Sequence, residues 1–225
     1  MMECFLGARN WDHRQWVTSY YPLDLPSGWQ LSFYANEYRT VLVSADKWCM
    51  ASYNKAVQWD NDASESFQFF LELPKNSALL PFAFQFCDRL AGWPAGFVVN
   101  SPMSHSVVYR RALAKAMNKR SRNTPLILYK TNAFHLQKHL QFKGGLSNIC
   151  LFRAMSFNGV IDDRSVLVLF SAASDMDTAK LNRVVEFLAY YLSDMSRCFL
   201  ILEGQPPSVS VLERLNTLLE LHGLS

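Results

Sequence analysis

"WVTSYYPLDLPSGWQLSFYANEYRTVLVS", residues 16–44, decides how the rest of the chain is read. Its first half is crowded with rings, among them Trp16, Tyr20, Tyr21 and Trp29. Pro22 and Pro26 bracket a turn, because proline presets the backbone for turn positions. Residues 28–38 form an amphipathic run that places Trp29, Phe33 and Ala35 near one face of a helix. Residues 40–44, TVLVS, then read as a short buried strand. The stretch is therefore a turn, a helix and a strand in close succession, with an unusual load of aromatic surface.

The same alternation runs to the end of the chain. Strand-like segments fall at 3–7, 40–44, 67–73, 96–100, 125–129, 148–153, 165–170 and 198–203. They are short and almost continuously apolar, as strands of a parallel sheet covered on both faces are. Helical patterns lie at 28–38, 106–118, 132–141, 177–195 and 208–221. In 177–195, Asp177 is placed to cap a helix whose Leu181, Val184, Val185, Leu188 and Leu192 form one stripe. Strands alternating with helices predict parallel β/α units, and eight strands is the closed-barrel number. An open doubly wound sheet is the alternative. No repeat or linker divides the 225 residues, so one domain spanning 1–225 is expected.

Composition excludes several classes. Half the residues are hydrophobic and 18% are charged, which is globular rather than disordered material. No apolar run approaches the roughly eighteen residues of a membrane span. The opening MMECFLGARNWDHR has no basic segment leading into an apolar one, so no signal peptide is read and a cytoplasmic location is expected. The five cysteines, at 4, 49, 87, 150 and 198, show no metal-binding spacing and are expected as free thiols. His135 and His139 are four apart, but HLQKH lacks the glutamate of a metalloprotease motif, and no metal site is expected. There is no phosphate-loop, dinucleotide or nucleophile-elbow pattern, so no cofactor is expected and the catalytic residues are unassigned.

Residues 7–44 resemble the opening of the YecE-like family, whose members have a TIM-barrel-like fold and no assigned function. The likeness rests on Gly7, Trp11, Trp16, Tyr21-Pro22, Trp29, Tyr34-Ala35, Tyr38 and Thr40-Val41. LLPFAFQF at 79–86 is similar to a later strand of that family, and CLFRAM at 150–155 to another. The chain from Lys180 onward resembles its final helix, strand and helix. The middle, 88–147, matches least, and a distorted or incomplete barrel is expected there. The resemblance thus implies a TIM-barrel-like α/β fold in which the rings of 16–38 pack the first helix and close the rim. An aromatic ligand platform is the sharper alternative.

Departures from the family pattern fall where a β/α barrel carries its chemistry, at the C-terminal ends of the strands. Leu42 stands where the family has glutamate, and SADKW replaces its N-x-T-F-Y. Met155-Ser156 replaces His-Gly, and the family asparagine falls near Glu203. The resemblance therefore implies a fold but no reaction, with any common site remodelled or lost.

Charge is the strongest remaining signal. Residues 89–161 hold eleven Lys and Arg and no Asp or Glu, while the rest of the chain sums to −8. Such polarisation attracts phosphate-rich partners. Arg111, Lys115 and Lys119 recur every four residues along one side of a helix, with Arg110 and Arg120 beside them. Lys130 and Arg153 fall at predicted strand ends, and Glu72, Glu203, Asp46 and Asp12 are the carboxylates near such ends. Three functions follow. One is a barrel that binds an anionic, phosphorylated small molecule at its rim through Lys130, Arg153, Glu203 and Trp11. Another is a nucleic-acid-binding protein that uses the 110–122 helix. The third is a non-catalytic family member acting through protein contacts, with the basic tract a solvated face.

Overall fold

Eight strands close into a barrel in chain order, β1 pairing with β2 on one side and with β8 on the other. The computed structural model describes residues 2–49, 53–64, 66–87, 96–99, 106–117, 126–130, 149–154, 164–172, 174 and 176–225. The strands are β1 Glu3–Arg9, β2 Thr40–Val43, β3 Gln68–Glu72, β4 Gly96–Val99, β5 Leu126–Lys130, β6 Ile149–Ala154, β7 Ser165–Ser171 and β8 Arg197–Glu203. The described helices are α1 Gln30–Glu37, α2 Ala45–Cys49, α3 Tyr53–Asp62, α4 Leu80–Cys87, α5 Val107–Met117, α6 Thr178–Tyr191 and α7 Val209–Leu221. All eight strand readings fall on strands. The helix read at 132–141 lies outside the described residues.

Two expectations are corrected. The barrel is not all parallel: β6 runs antiparallel to both β5 and β7, with Leu128 opposite Ala154 and Ile149 opposite Phe170. An apolar run such as ICLFRA reads the same in either direction, so its sequence carries no sign of the reversal. The second correction is at 79–86, which is helical and not a strand. Asn76 accepts a hydrogen bond from the Ala78 N–H at 3.0 Å, and a 3-10 turn at Ser77–Leu79 leads into α4. Pro81 sits in the first turn of α4, where its missing N–H costs no helical bond.

Strand alternation sorts the apolar side chains into two layers. Leu42, Phe70, Val98, Leu167, Leu169, Phe199 and Ile201 fill the barrel interior, with Phe5 packed against them. Phe199 stacks on Phe5 and tilts against Phe70, at centroid distances of 5.1 and 4.6 Å. The opposite strand faces carry residues such as Leu6, Val41, Val168 and Leu200, which meet the helices. Asp177 caps α6 as expected, accepting from the Lys180 N–H at 2.7 Å. The predicted stripe of α6 is buried.

The rings of 16–38 are mostly core. Trp16, Tyr21, Tyr34 and Tyr38 are buried, and Trp16 stacks on Tyr34. Trp16 Nε1 donates to the Pro207 carbonyl at 2.9 Å, tying the segment after β1 to the one after β8. Tyr34 reaches from α1 into the seam between β1 and β2. Its hydroxyl accepts from the Ala8 N–H at 2.7 Å and donates to the Thr40 carbonyl at 2.9 Å.

Gly7 allows that seam to close. A Cβ at position 7 would overlap the Thr40 carbonyl oxygen, a backbone atom held in the sheet. Gly7→Ala is therefore expected to lower stability by about 3 kcal/mol or to leave the protein insoluble, since overpacked strands relax poorly. Urea unfolding measures this; a loss under roughly 1 kcal/mol would mean the seam is looser than described.

Candidate functional site

The alternation that sends Phe5 and Gly7 inward also turns Arg9, the last residue of β1, toward the C-terminal mouth of the barrel. There it meets the last residues of β3 and β8. Arg9 Nη1 donates to Glu72 at 2.7 Å. Nε and Nη2 donate to one oxygen of Glu203 at 2.9 and 2.6 Å. The three side chains are only 15–25% exposed, so a charged layer caps an apolar interior. Burial works to lower the Arg9 guanidinium, but the charges and hydrogen bonds of Glu72 and Glu203 outweigh it and hold the group above its ordinary value.

Around this clamp the segments after β1 and β2 interlock. Asn10 adopts φ 56, a left-handed conformation that asparagine tolerates better than most residues. Its side chain accepts from the Ser44 N–H at 3.0 Å and donates to the Ser44 hydroxyl at 3.1 Å. Asp46 opens α2 with its carboxyl held below the ordinary carboxylate value. Hydrogen bonding from Ser44 is the main cause; backbone N–H groups and the charge of Arg9 add to it, against a smaller effect of burial. Lys47 pairs with Asp12 and lies 4.7 Å from the centre of the Trp11 ring. Trp48 Nε1 donates to the Glu72 carbonyl at 2.9 Å, fixing the end of β3.

The structure separates the sequence candidates. Glu203 and Glu72 meet through Arg9, and Asp46 lies close enough to feel the Arg9 charge. Trp11 is buried, in a T-shaped contact with Trp59 at 5.0 Å between ring centres and with Lys47 over its ring. Lys130 ends β5, at the same end of the barrel as Arg9. Arg153, on the reversed β6, lies opposite Tyr129 near the end of β5 and opposite Val166 near the start of β7. Arg110, Arg111 and Lys115 are exposed on α5, while Lys119 and Arg120 lie outside the described residues, as do His135 and His139. Arg9 itself was missed. Reading the first strand as 3–7 left it in a loop, although a lone charge two residues beyond inward-facing Gly7 marks a strand end.

His13 lies beside the clamp, its ring 4.7 Å from that of Trp16 and its Nε2 2.8 Å from the Arg9 carbonyl oxygen. Burial is the main reason its basicity falls below the ordinary 6.5. The unfolded chain then binds the proton more readily, so stability is full above that value and falls as pH drops below it. His13→Gln keeps a side-chain donor for the carbonyl and should flatten this part of the stability–pH curve, read by urea midpoints on either side of 6.5. An unchanged slope would place the titration elsewhere.

Arg9→Met should destabilise by about 2 kcal/mol, less than the 3–5 of a fully buried pair because the carboxylates are partly wetted. Adding Glu72→Gln and Glu203→Gln should restore most of that loss in the same urea experiment.

A family model described as "Protein of unknown function DUF72" matches residues 5–79, the segment from β1 to the turn before α4. A DUF72 family protein from Thermotoga maritima superposes with a TM-score of 0.64 at 12% identity, over 97% of this chain and 99% of that one. A DUF72 family protein from Enterococcus faecalis superposes in two crystal structures. One gives a TM-score of 0.59 at 12% identity, over 96% and 95% of the two chains. The other gives 0.56 at 13% identity, over 100% and 99%. At such identities the likeness is one of fold, and the opening resemblance is consistent with it. No curated protein matches the sequence.

Proposed function

We propose that this protein binds a small hydroxylated, phosphorylated molecule at the C-terminal mouth of its barrel. The observation that carries the reading is the Arg9–Glu72–Glu203 layer, a charged group closing an otherwise apolar interior. A well-packed apolar layer would serve stability as well or better, so a partly buried ion triad at a strand end suits recognition. Carboxylates accept hydrogen bonds, so Glu72, Glu203 and Asp46 suit the hydroxyls of a ligand. Arg9 has five N–H donors, of which three are used on the glutamates, and the rest suit an anionic oxygen. Lys130, ending β5 at this mouth, suits the phosphate. Arg153 pairs with Tyr129, beside Lys130 at the end of β5, and remains a second candidate base for the phosphate.

Thermal shift against sugar phosphates, the matching unphosphorylated sugars and inorganic phosphate tests this. A sugar phosphate should raise the melting temperature more than either part alone. The shift should vanish in the Arg9→Met, Glu72→Gln, Glu203→Gln triple variant, whose fold the neutralised carboxylates preserve. It should shrink in Lys130→Ala and persist in Arg111→Ala with Lys115→Ala. Equal shifts in the triple variant and the native protein would overturn the site, and equal shifts from the unphosphorylated sugar would overturn the ligand class.

A further inference from the structure

On the outside of the barrel, α4 and α5 leave an apolar surface beside a basic one. The 3-10 turn at Ser77–Leu79 touches both helices. The Tyr109 hydroxyl donates to the Pro74 carbonyl at 2.9 Å, drawing the first turns of α5 against this segment. Tyr109 and Leu113 face inward and are buried. Toward solvent stand Leu79 at 41% exposure, Phe82 at 66%, Val107 at 53% and Val108 at 72%. Four large apolar side chains on three touching elements are more than the scattered single exposures of an ordinary surface.

The bases adjoin them. On α5, at 100° per residue, Val107, Arg111, Lys115 and Val108 fall within one third of the helix circumference, with Arg110 next to it. Arg110, Arg111 and Lys115 are exposed and make no ion pair among the described residues. Nor can nearby sequence neutralise them, since residues 89–161 contain no Asp or Glu. The complement must come from acids distant in the sequence or from another molecule.

We propose that the α4–α5 face docks an acidic, amphipathic segment of a partner protein. The apolar side of that segment covers Phe82, Val107 and Val108, and its carboxylates meet Arg111 and Lys115. A nucleic acid would use the bases but leave three aliphatic side chains uncovered, since phosphates have no use for them and only Phe82 offers a ring for stacking. An acidic amphipathic segment answers both halves of the surface. This proposal is independent of the ligand at the barrel mouth.

The test uses the full chain and a fluorescein-labelled synthetic helical peptide with Leu and Phe along one face and Glu along the other. Fluorescence anisotropy should show binding that weakens with salt. The double variants Arg111→Glu with Lys115→Glu, and Phe82→Ser with Val108→Ser, should each weaken it about tenfold or more, as loss of central contacts does. These positions are exposed, and circular dichroism checks that both variants keep the fold. A peptide with the same Glu residues but Ser on the apolar face should bind about tenfold more weakly. Four results would overturn the proposal. They are no binding at about 100 μM protein, a Kd near the weakest specific complexes; equal binding of the Ser peptide; tighter binding of a single-stranded oligonucleotide of equal charge; and tighter binding of phosphatidylserine vesicles.

Discussion

Everything at the mouth of this barrel depends on how closely β1 approaches β2. Gly7 has no side chain to hold the Thr40 carbonyl away, and the Tyr34 hydroxyl bridges the Ala8 N–H and that same carbonyl. The tyrosine is fully buried and its phenol is made far less acidic than usual, chiefly by burial, so it stays a neutral donor and acceptor. A neutral group that satisfies one N–H and one C=O in a seam removes two desolvation costs at once. With the seam set, the inward alternation of Phe5, Gly7 and Arg9 leaves the guanidinium at one place, between Glu72 and Glu203.

That placement links three strands far apart in sequence. Arg9, Glu72 and Glu203 end β1, β3 and β8, so the clamp spans the point where the barrel closes. Trp16 reinforces the same junction from outside through the Pro207 carbonyl, and Trp48 reinforces β3 through the Glu72 carbonyl. The tryptophans thus act as hydrogen-bonding wedges as well as apolar bulk, which suits a ring with one donor. The mouth thus combines paired charges with hydrogen-bonded surroundings.

Much of this was legible. Apolar runs of strand length located all eight strands, and Asp177 with its downstream leucine stripe located α6. The rings of 16–38 were read as packing, and Trp16, Tyr21 and Tyr34 are buried. The illegible parts have physical reasons. The direction of β6 is invisible because an apolar strand has no sequence polarity. Residues 79–86 look like a strand because all-round apolar runs of eight residues suit either structure. Glu72 and Glu203 were visible as strand-end carboxylates, but their meeting is a matter of tertiary distance. Arg9 was hidden by a strand boundary set two residues short.

The pairing of β1 with β8 has a further meaning for how the chain reaches its native state. Glu3 sits opposite Arg197, and Leu6 opposite Leu200, so these contacts close a loop of nearly the whole molecule. Loop-closure entropy makes such contacts slow to form, and topologies rich in them fold slowly. Until β8 arrives, one edge of β1 presents unpaired N–H and C=O groups, a template for pairing with other chains. Tyr34 and β2 can already be in place on the other edge, because their separation from β1 is only a few tens of residues. The half-built barrel is therefore a molecule with one finished seam and one sticky edge, the state in which a folding chain is most exposed to aggregation or to the care of a chaperone.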